Sequence, residues 1–146
     1  MAYSFQVCQL FGEVWLSDDR RACALVLYPE KKKTMFQSIW LDITLIFKAV
    51  GLSGIKKVLK REAEIKKRQP KLCMAYLWFI GVNPLYQHRG TGSRLLKEVS
   101  EREKVEDRPV FLETSVLKNI TWYERFGFHQ YDYLTLDYTL YFLNNL

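Results

Sequence analysis

The segment Met74 to Val82 is apolar at nearly every position, and soon after it come Gln87-His88-Arg89-Gly90-Thr91-Gly92. A helix-like pattern then opens at Ser93. An apolar run of this length, closed by Pro84, reads as a central strand buried on both faces. A buried strand that enters a glycine turn and then a helix commits the chain to layered α/β packing. It also builds an anion site, because the first N–H groups of a helix lack partners and the helix dipole adds partial positive charge there. Gly90 and Gly92 let the main chain turn tightly and let a phosphate approach it. Arg89 adds a formal charge at the rim. A phosphorylated cofactor is the expected ligand.

Two nucleotide loops are excluded by particular residues. A dinucleotide fingerprint beginning at Gly90 requires glycine at position 95, which is Leu95. A Walker A loop requires Gly-Lys-Ser/Thr, whereas Gly92 precedes Ser93 and Arg94.

With 146 residues, 49% of them hydrophobic, the chain is long and apolar enough for one domain, 1–146, and disorder is excluded. Its apolar runs fall short of the ~18–20 residues of a membrane helix; Ile39 to Val50 is broken by Asp42, Thr44 and Lys48. The N-terminus has no basic lead-in of a secretory signal. Cys8, Cys23 and Cys73 are odd in number and widely spaced, which points to reduced thiols in a cytoplasmic protein. His88 and His129 are too scattered for a metal centre, so no metal is expected. The net charge of +6 is concentrated between Lys56 and Lys71, where Glu62 and Glu64 interrupt at helical spacing. That is the pattern of a solvated helix face, and nucleic-acid binding is not expected.

Along the chain, residues 1–11 read as the end of a helix stopped by Gly12. Gly12–Ser17 and Ala22–Tyr28 form a hairpin, and Pro29–Lys33 a loop. Thr34 caps a helix with Phe36, Ile39, Trp40, Ile43, Phe47 and Val50 on its apolar face, and Ile55–Arg68 is a second, basic helix. After the central strand come a helix at Ser93–Lys104, a strand at Pro109–Thr114 and a helix at Lys118–Phe126 closed by Gly127. An antiparallel pair, Phe128–Asp137 with Tyr138–Asn144, ends the chain. The expected fold is α/β (α+β), with a mixed sheet between helices.

Gln-x-x-Gly-x-Gly at Gln87–Gly92 resembles the pyrophosphate loop of the GCN5-related N-acetyltransferases (GNAT). Downstream, Leu112-Glu113-Thr114, Asn119 and Tyr123-Glu124-Arg125-Phe126-Gly127-Phe128 resemble that family's second signature. The resemblance runs from about Gly12 onward and is strongest between Leu77 and Phe128. It implies the acyl-CoA N-acyltransferase fold: a mostly antiparallel mixed sheet, helices on both faces, and a splayed central strand pair, here Met74–Val82 and Pro109–Thr114. It implies acetyl-CoA as cosubstrate, its pyrophosphate on Gln87, His88, Arg89, Gly90, Thr91, Gly92 and Ser93. Its pantetheine would run along the main chain of Ile80, Gly81 and Val82, with Asn119 as a further cofactor contact.

The implied reaction is direct attack of a primary amine of a small molecule or peptide on the thioester in a ternary complex. Tyr123 matches the acid that protonates the departing thiolate. Glu113 is the candidate base, with an edge carboxylate as its ordinary alternative and Glu13 as an outside candidate. The alternative function is a non-catalytic or truncated CoA-binding module. The resemblance departs at Val116, where the family often has asparagine, and at the start of the chain. There the family's first strand and two helices would precede what is found here. Those elements help to wall the acceptor site and pair beside the hairpin, so an open sheet edge at Gly12–Ser17 and a homodimer through it are further expectations.

Overall fold

A computed structural model describes residues 2–32 and 60–146. Among these, the elements run α1 (Ala2–Phe11), β1 (Gly12–Leu16), β2 (Ala22–Leu27), α2 (Pro29–Lys32), α3 (described over 60–68), β3 (Ala75–Val82), a 3-10 turn (Pro84–Tyr86), α4 (Thr91–Val105), β4 (Val110–Thr114), α5 (Leu117–Glu124), β5 (His129–Thr135) and β6 (Thr139–Asn144). The helix expected from Thr34 to Val50, and the start of the basic helix at Ile55, lie outside the described residues. The chain divides into two compact units, Lys32–Leu72 and the remainder.

In the smaller unit, α3 keeps the expected solvated face. Lys60, Glu62, Lys66 and Lys67 are exposed while Ile65 is buried. Glu64 accepts from Lys67 Nζ at 2.6 Å and from Arg68 Nη1 at 3.0 Å, bonds that hold its carboxyl below the usual range.

The larger unit is built on a six-stranded sheet in the order β1-β2-β3-β4-β6-β5. All neighbouring pairs are antiparallel except β3–β4. The sheet is therefore mixed and mostly antiparallel, as expected. Helices cover both faces. α4 lies against β1, β2 and β3, and α5 against β4 and β5. Their side of the sheet holds Ala24, Val26, Leu77, Leu96, Val99, Val110, Leu112 and Phe128. The other face packs Val7, Cys8 and Phe11 of α1 on Leu25, Leu27, Met74, Tyr76 and Phe111.

Several boundaries differ from the expectation. Pro29–Lys32 is a turn of helix rather than loop, because Pro29 sits at the first helical position, where its missing N–H costs nothing. α4 begins two residues earlier than Ser93, so Thr91 and Gly92 belong to its first turn. Gly12 opens β1 as expected, and a Cβ there would collide with the carbonyl oxygen of Val26. Gly127 does close α5, at φ +81, with its N–H on Glu124 O and the Phe128 N–H on Tyr123 O.

β3 is buried only through Leu77 and half-buried from Trp78 to Val82, a correction to the doubly buried strand. Two features account for this. The register with β2 skips a residue between Leu25↔Phe79 and Val26↔Leu77, so Trp78 is the extra residue of a β-bulge. Trp78 and Phe79 consequently both reach the α1 face, while Ile80 and Val82 return to the α4 face. On its other side, β3 pairs with β4 only at Ala75↔Val110 and Tyr76↔Phe111. Beyond those pairs the two strands separate.

One polar pair is set into the core. Glu103 on α4 is fully buried, and the Tyr28 hydroxyl donates to its Oε1 at 2.8 Å. Burial pushes the Glu103 carboxyl above its usual range, with nearby Glu13 adding to the shift and the Tyr28 bond opposing it. The folded state thus binds this proton more tightly than the unfolded chain. The contribution of Glu103 to stability is greatest below its unfolded value of 4.5 and declines as pH rises through the folded one. Tyr28→Phe, which removes the donor, should cost about 1–3 kcal/mol. Glu103→Gln should flatten the fall of melting temperature between acid and neutral pH, and an unchanged slope would exclude this pair as its source.

Candidate active site

Backbone geometry comes first. Where β3 leaves β4, the edge of β3 that faces the gap carries main-chain groups with no strand partner across it. Ile80, Gly81 and Val82 lie on this stretch, paired on their other side with Ala24, Cys23 and Ala22 of β2. The gap opens toward the C-terminal end of β3, where the chain turns into α4.

The turn is held by short polar contacts. The Asn83 N–H donates to Arg21 O at 2.7 Å, and Asn83 Oδ1 accepts from the Leu85 N–H at 3.0 Å. The Gln87 amide reaches back to Val82 O at 3.3 Å. His88 and Gly90 both have positive φ, +62 and +80, which swings successive N–H groups toward one side. Gly90 is the N-cap of α4 and no side chain caps the helix. The Arg94 N–H closes the first turn onto Gly90 O, leaving the N–H groups of Thr91, Gly92 and Ser93 without helical acceptors. A Cβ at Gly90 would meet nothing within 4 Å, so the space above these donors is open. That combination fits an anionic group such as a pyrophosphate.

Gly92 has a different reason to be glycine. A Cβ there would lie 2.9 Å from Val82 Cγ2, so this residue permits α4 to sit close on β3. The loop also holds two guanidinium groups. Arg21 lies 3.9 Å from the centroid of the Tyr86 ring and Arg89 5.4 Å from it. Gln87, His88 and Arg89 are exposed.

Tyr123 and Glu113 do not sit side by side. Tyr123 is buried in the core on the α4–α5 face, packed on Trp122 and Phe128. Burial pushes its phenol up to about 12. Glu113 alternates with Leu112 along β4 and is the cross-strand partner of Phe142, which places it with Phe111 on the opposite face. The two candidates therefore lie on opposite faces of the sheet. Asn119 is half-buried on α5, one helical turn before Tyr123. Glu13, the outside candidate for the base, is not in this group. It lies on β1 near Tyr28 and Glu103, two strands from the gap.

The chain has counterparts among known proteins. A family profile described as an acetyltransferase (GNAT) domain matches residues 46–130. The chain belongs to the GNAT acetyltransferase family. One solved structure agrees on the fold of this GNAT chain. A structure described as histone acetyltransferase HPA2 and related acetyltransferase, from Corynebacterium glutamicum, superposes with a TM-score of 0.58 at 18% identity, covering 90% of this chain and 61% of that one. An Elizabethkingia anophelis GNAT acetyltransferase with acetyl-CoA bound gives 0.43 at 19% identity, covering 49% and 59%. Arabidopsis thaliana Naa50 with a bisubstrate analogue gives 0.44 at 22%, covering 49% and 53%. The chain thus spans between about half and three-fifths of the length of these structures.

Two residues of the site escaped the reading from sequence. Trp122 donates from Nε1 to Ser93 Oγ at 3.1 Å, tying α5 to the first turn of α4 across the gap. Its place beside Tyr123 was the available signal. Arg21 had none, since only tertiary structure brings the hairpin to the turn after β3.

Among the described residues, no helix is long and apolar enough to cross a membrane, and no cluster of histidine, cysteine or acidic residues is suited to a metal ion.

Proposed function

We propose that this GNAT chain is an acetyl-CoA-dependent N-acetyltransferase acting on a primary amine, with residues 1–146 serving as one catalytic domain. The observation that carries this reading is the gap between β3 and β4, which runs into the uncapped N-terminus of α4 in a sheet with a buried phenol on one face and a carboxylate on the other. The N–H groups of Thr91, Gly92 and Ser93, with Arg89 at the rim, would hold the pyrophosphate of acetyl-CoA. Main chain of Ile80 to Val82 would hold the pantetheine, and Asn119 would add a contact from α5. Bound there, acetyl-CoA supplies a thioester carbonyl whose carbon the amine nitrogen attacks.

The residues of the chain then have separate tasks. Glu113 takes the proton that the amine must lose, directly or through one water. An unpaired N–H of β3 stabilises the oxyanion as charge develops on it. Tyr123, protonated across the neutral range because burial raises its pKa, gives its proton to the departing thiolate. The amide forms as the C–S bond breaks, with no acyl-enzyme intermediate. A cytoplasmic setting accords with the three cysteines, all free thiols. Nucleic acid has no part in this scheme.

Calorimetry with acetyl-CoA and a rate assay over a panel of amines test the reading. Saturable binding with no transfer to any amine would favour a CoA-binding module instead. Glu113→Gln should remove the rising limb of the rate–pH profile while leaving acetyl-CoA affinity within about twofold. A profile of unchanged shape would transfer the role to a water chain. β1 is an edge strand among the described residues, with Leu16 exposed on it, and self-association through this edge is part of the proposal. Sedimentation at micromolar concentration should show a dimer that a proline at Trp15 abolishes; a monodisperse monomer would remove it.

A further inference from the structure

The indole of Trp122 is held by its own helix and tied to another. On α5 it packs on Tyr123, with ring centroids 4.8 Å apart, and on Phe126 at 5.5 Å. Its single donor, the Nε1–H, goes to Ser93 Oγ at 3.1 Å. A half-buried indole needs such a partner, and a main-chain carbonyl would serve it equally well. The acceptor here is instead a hydroxyl, which carries a proton of its own.

Where that proton can go is narrowly set. Ser93 is the third residue of α4 after the N-cap Gly90. A serine inside a helix commonly donates back to the carbonyl four residues earlier. Here neither Arg89 O nor any other group among the described residues accepts from it. With one lone pair taken by the indole, the O–H cannot point at Trp122. The Cα–Cβ bond of a helical residue tilts toward the helix N-terminus, so the hydroxyl lies over the turn that carries the free N–H groups of Thr91 and Gly92. Ser93 is itself only half-buried, so a ligand at this turn can reach it. The series of donors from indole to hydroxyl therefore ends, open, at the anion site.

We infer that Trp122 is a positioning residue, which fixes the Ser93 hydroxyl as a side-chain donor to the pyrophosphate of the cosubstrate. It thereby joins the grip on the cofactor to the helix turn that carries Tyr123. The inference rests on the acetyl-CoA reading given above, and Trp122 acts only through Ser93. An anion that accepts from the hydroxyl makes its oxygen a better acceptor in turn, so the indole bond tightens when the site fills.

The assigned indole N–H signal of Trp122, in the isotopically labelled full chain, reads that bond directly. Titration with CoA, which carries the pyrophosphate, should move it downfield, and pantetheine, which lacks it, should not. Ser93→Ala should abolish the shift and weaken CoA about tenfold, whereas Ser93→Thr, which keeps a hydroxyl, should retain the shift and most of the affinity. Trp122→Phe, which keeps a ring against Tyr123 and Phe126, should weaken CoA about threefold. The double variant should bind no more weakly than Ser93→Ala alone. Effects that multiply in the double variant, or an equal shift with pantetheine, would overturn the inference. So would amide shifts at Gly90–Ser93 beside an indole signal that stays still or moves upfield, and the acetyl-CoA reading would then stand without it. Should Trp122→Phe fail to fold, the indole signal in the two Ser93 variants decides alone. An unaltered chain that does not bind CoA would remove both readings.

Discussion

Tyr123→Phe should lower kcat by about a hundredfold and leave acetyl-CoA affinity nearly intact, because the ring and its packing remain and only the hydroxyl is lost. The ring is held by Trp122 and Phe128, so phenylalanine fits without a cavity. The size of the loss rests on how poor a leaving group an unprotonated thiolate is inside a dry gap. The phenol is pushed up to about 12 by burial, so it keeps its proton through the alkaline range in which an ordinary tyrosine, at ~10, would lose it. The rate should therefore show no descending limb near pH 10 that belongs to this residue. Steady-state kinetics with one good amine acceptor decide the matter. Unaltered kcat in the folded variant would mean that water protonates the thiolate.

The two loop glycines should fail in different ways. Gly90→Val forces a β-branched residue to φ +80, which costs about 1–3 kcal/mol, and puts methyl groups in the open space over the helix N-terminus. Acetyl-CoA affinity should fall more than tenfold while the protein still folds. Gly92→Val drives its Cβ into the Val82 side chain, 2.9 Å away, and should cost about 1–3 kcal/mol through overpacking. There the melting temperature should drop by several degrees, with affinity falling only as far as α4 is displaced from β3. Calorimetry and melting curves on both variants separate the cases. A folded Gly90→Val protein with full affinity would remove the pyrophosphate assignment.

These contrasts mark where sequence is informative. Gln87–Gly92 and Tyr123–Phe128 could be read because their chemistry depends on local spacing: a glycine turn before a helix, a tyrosine near a helix end, a glycine cap. The end of the parallel pairing after Tyr76 was open only to the family resemblance and not to the residues themselves, since it depends on which strands meet and for how long. For the same reason the apolar run at Met74–Val82 looked uniformly buried, although its second half has lost a neighbour. That Gly92 also makes room for the Val82 side chain could not be read, because a glycine's purpose is invisible without the atom it makes room for. Glu13 survived as a candidate base only while nothing showed that it lay under α4, beside another carboxylate. The one-turn helix at Pro29–Lys32 was missed because a lysine run after proline suits loop and helix equally.

The bulge at Trp78 gives this part of the protein a spare residue. Leu77 and Ile80 belong to the α4 side and Trp78 and Phe79 both to the α1 side, so excising Trp78 would restore strict alternation and leave Phe79, Ile80 and Val82 on the faces they already occupy. Excising Ile80 would instead carry Val82 to the α1 side, because the alternation beyond the bulge has no residue to give up. A scan of single-residue deletions should therefore find β3 tolerant at Trp78 and intolerant at Ile80. Descendants of this sequence are free to shed one residue here, and only at the bulge, without turning the strand over.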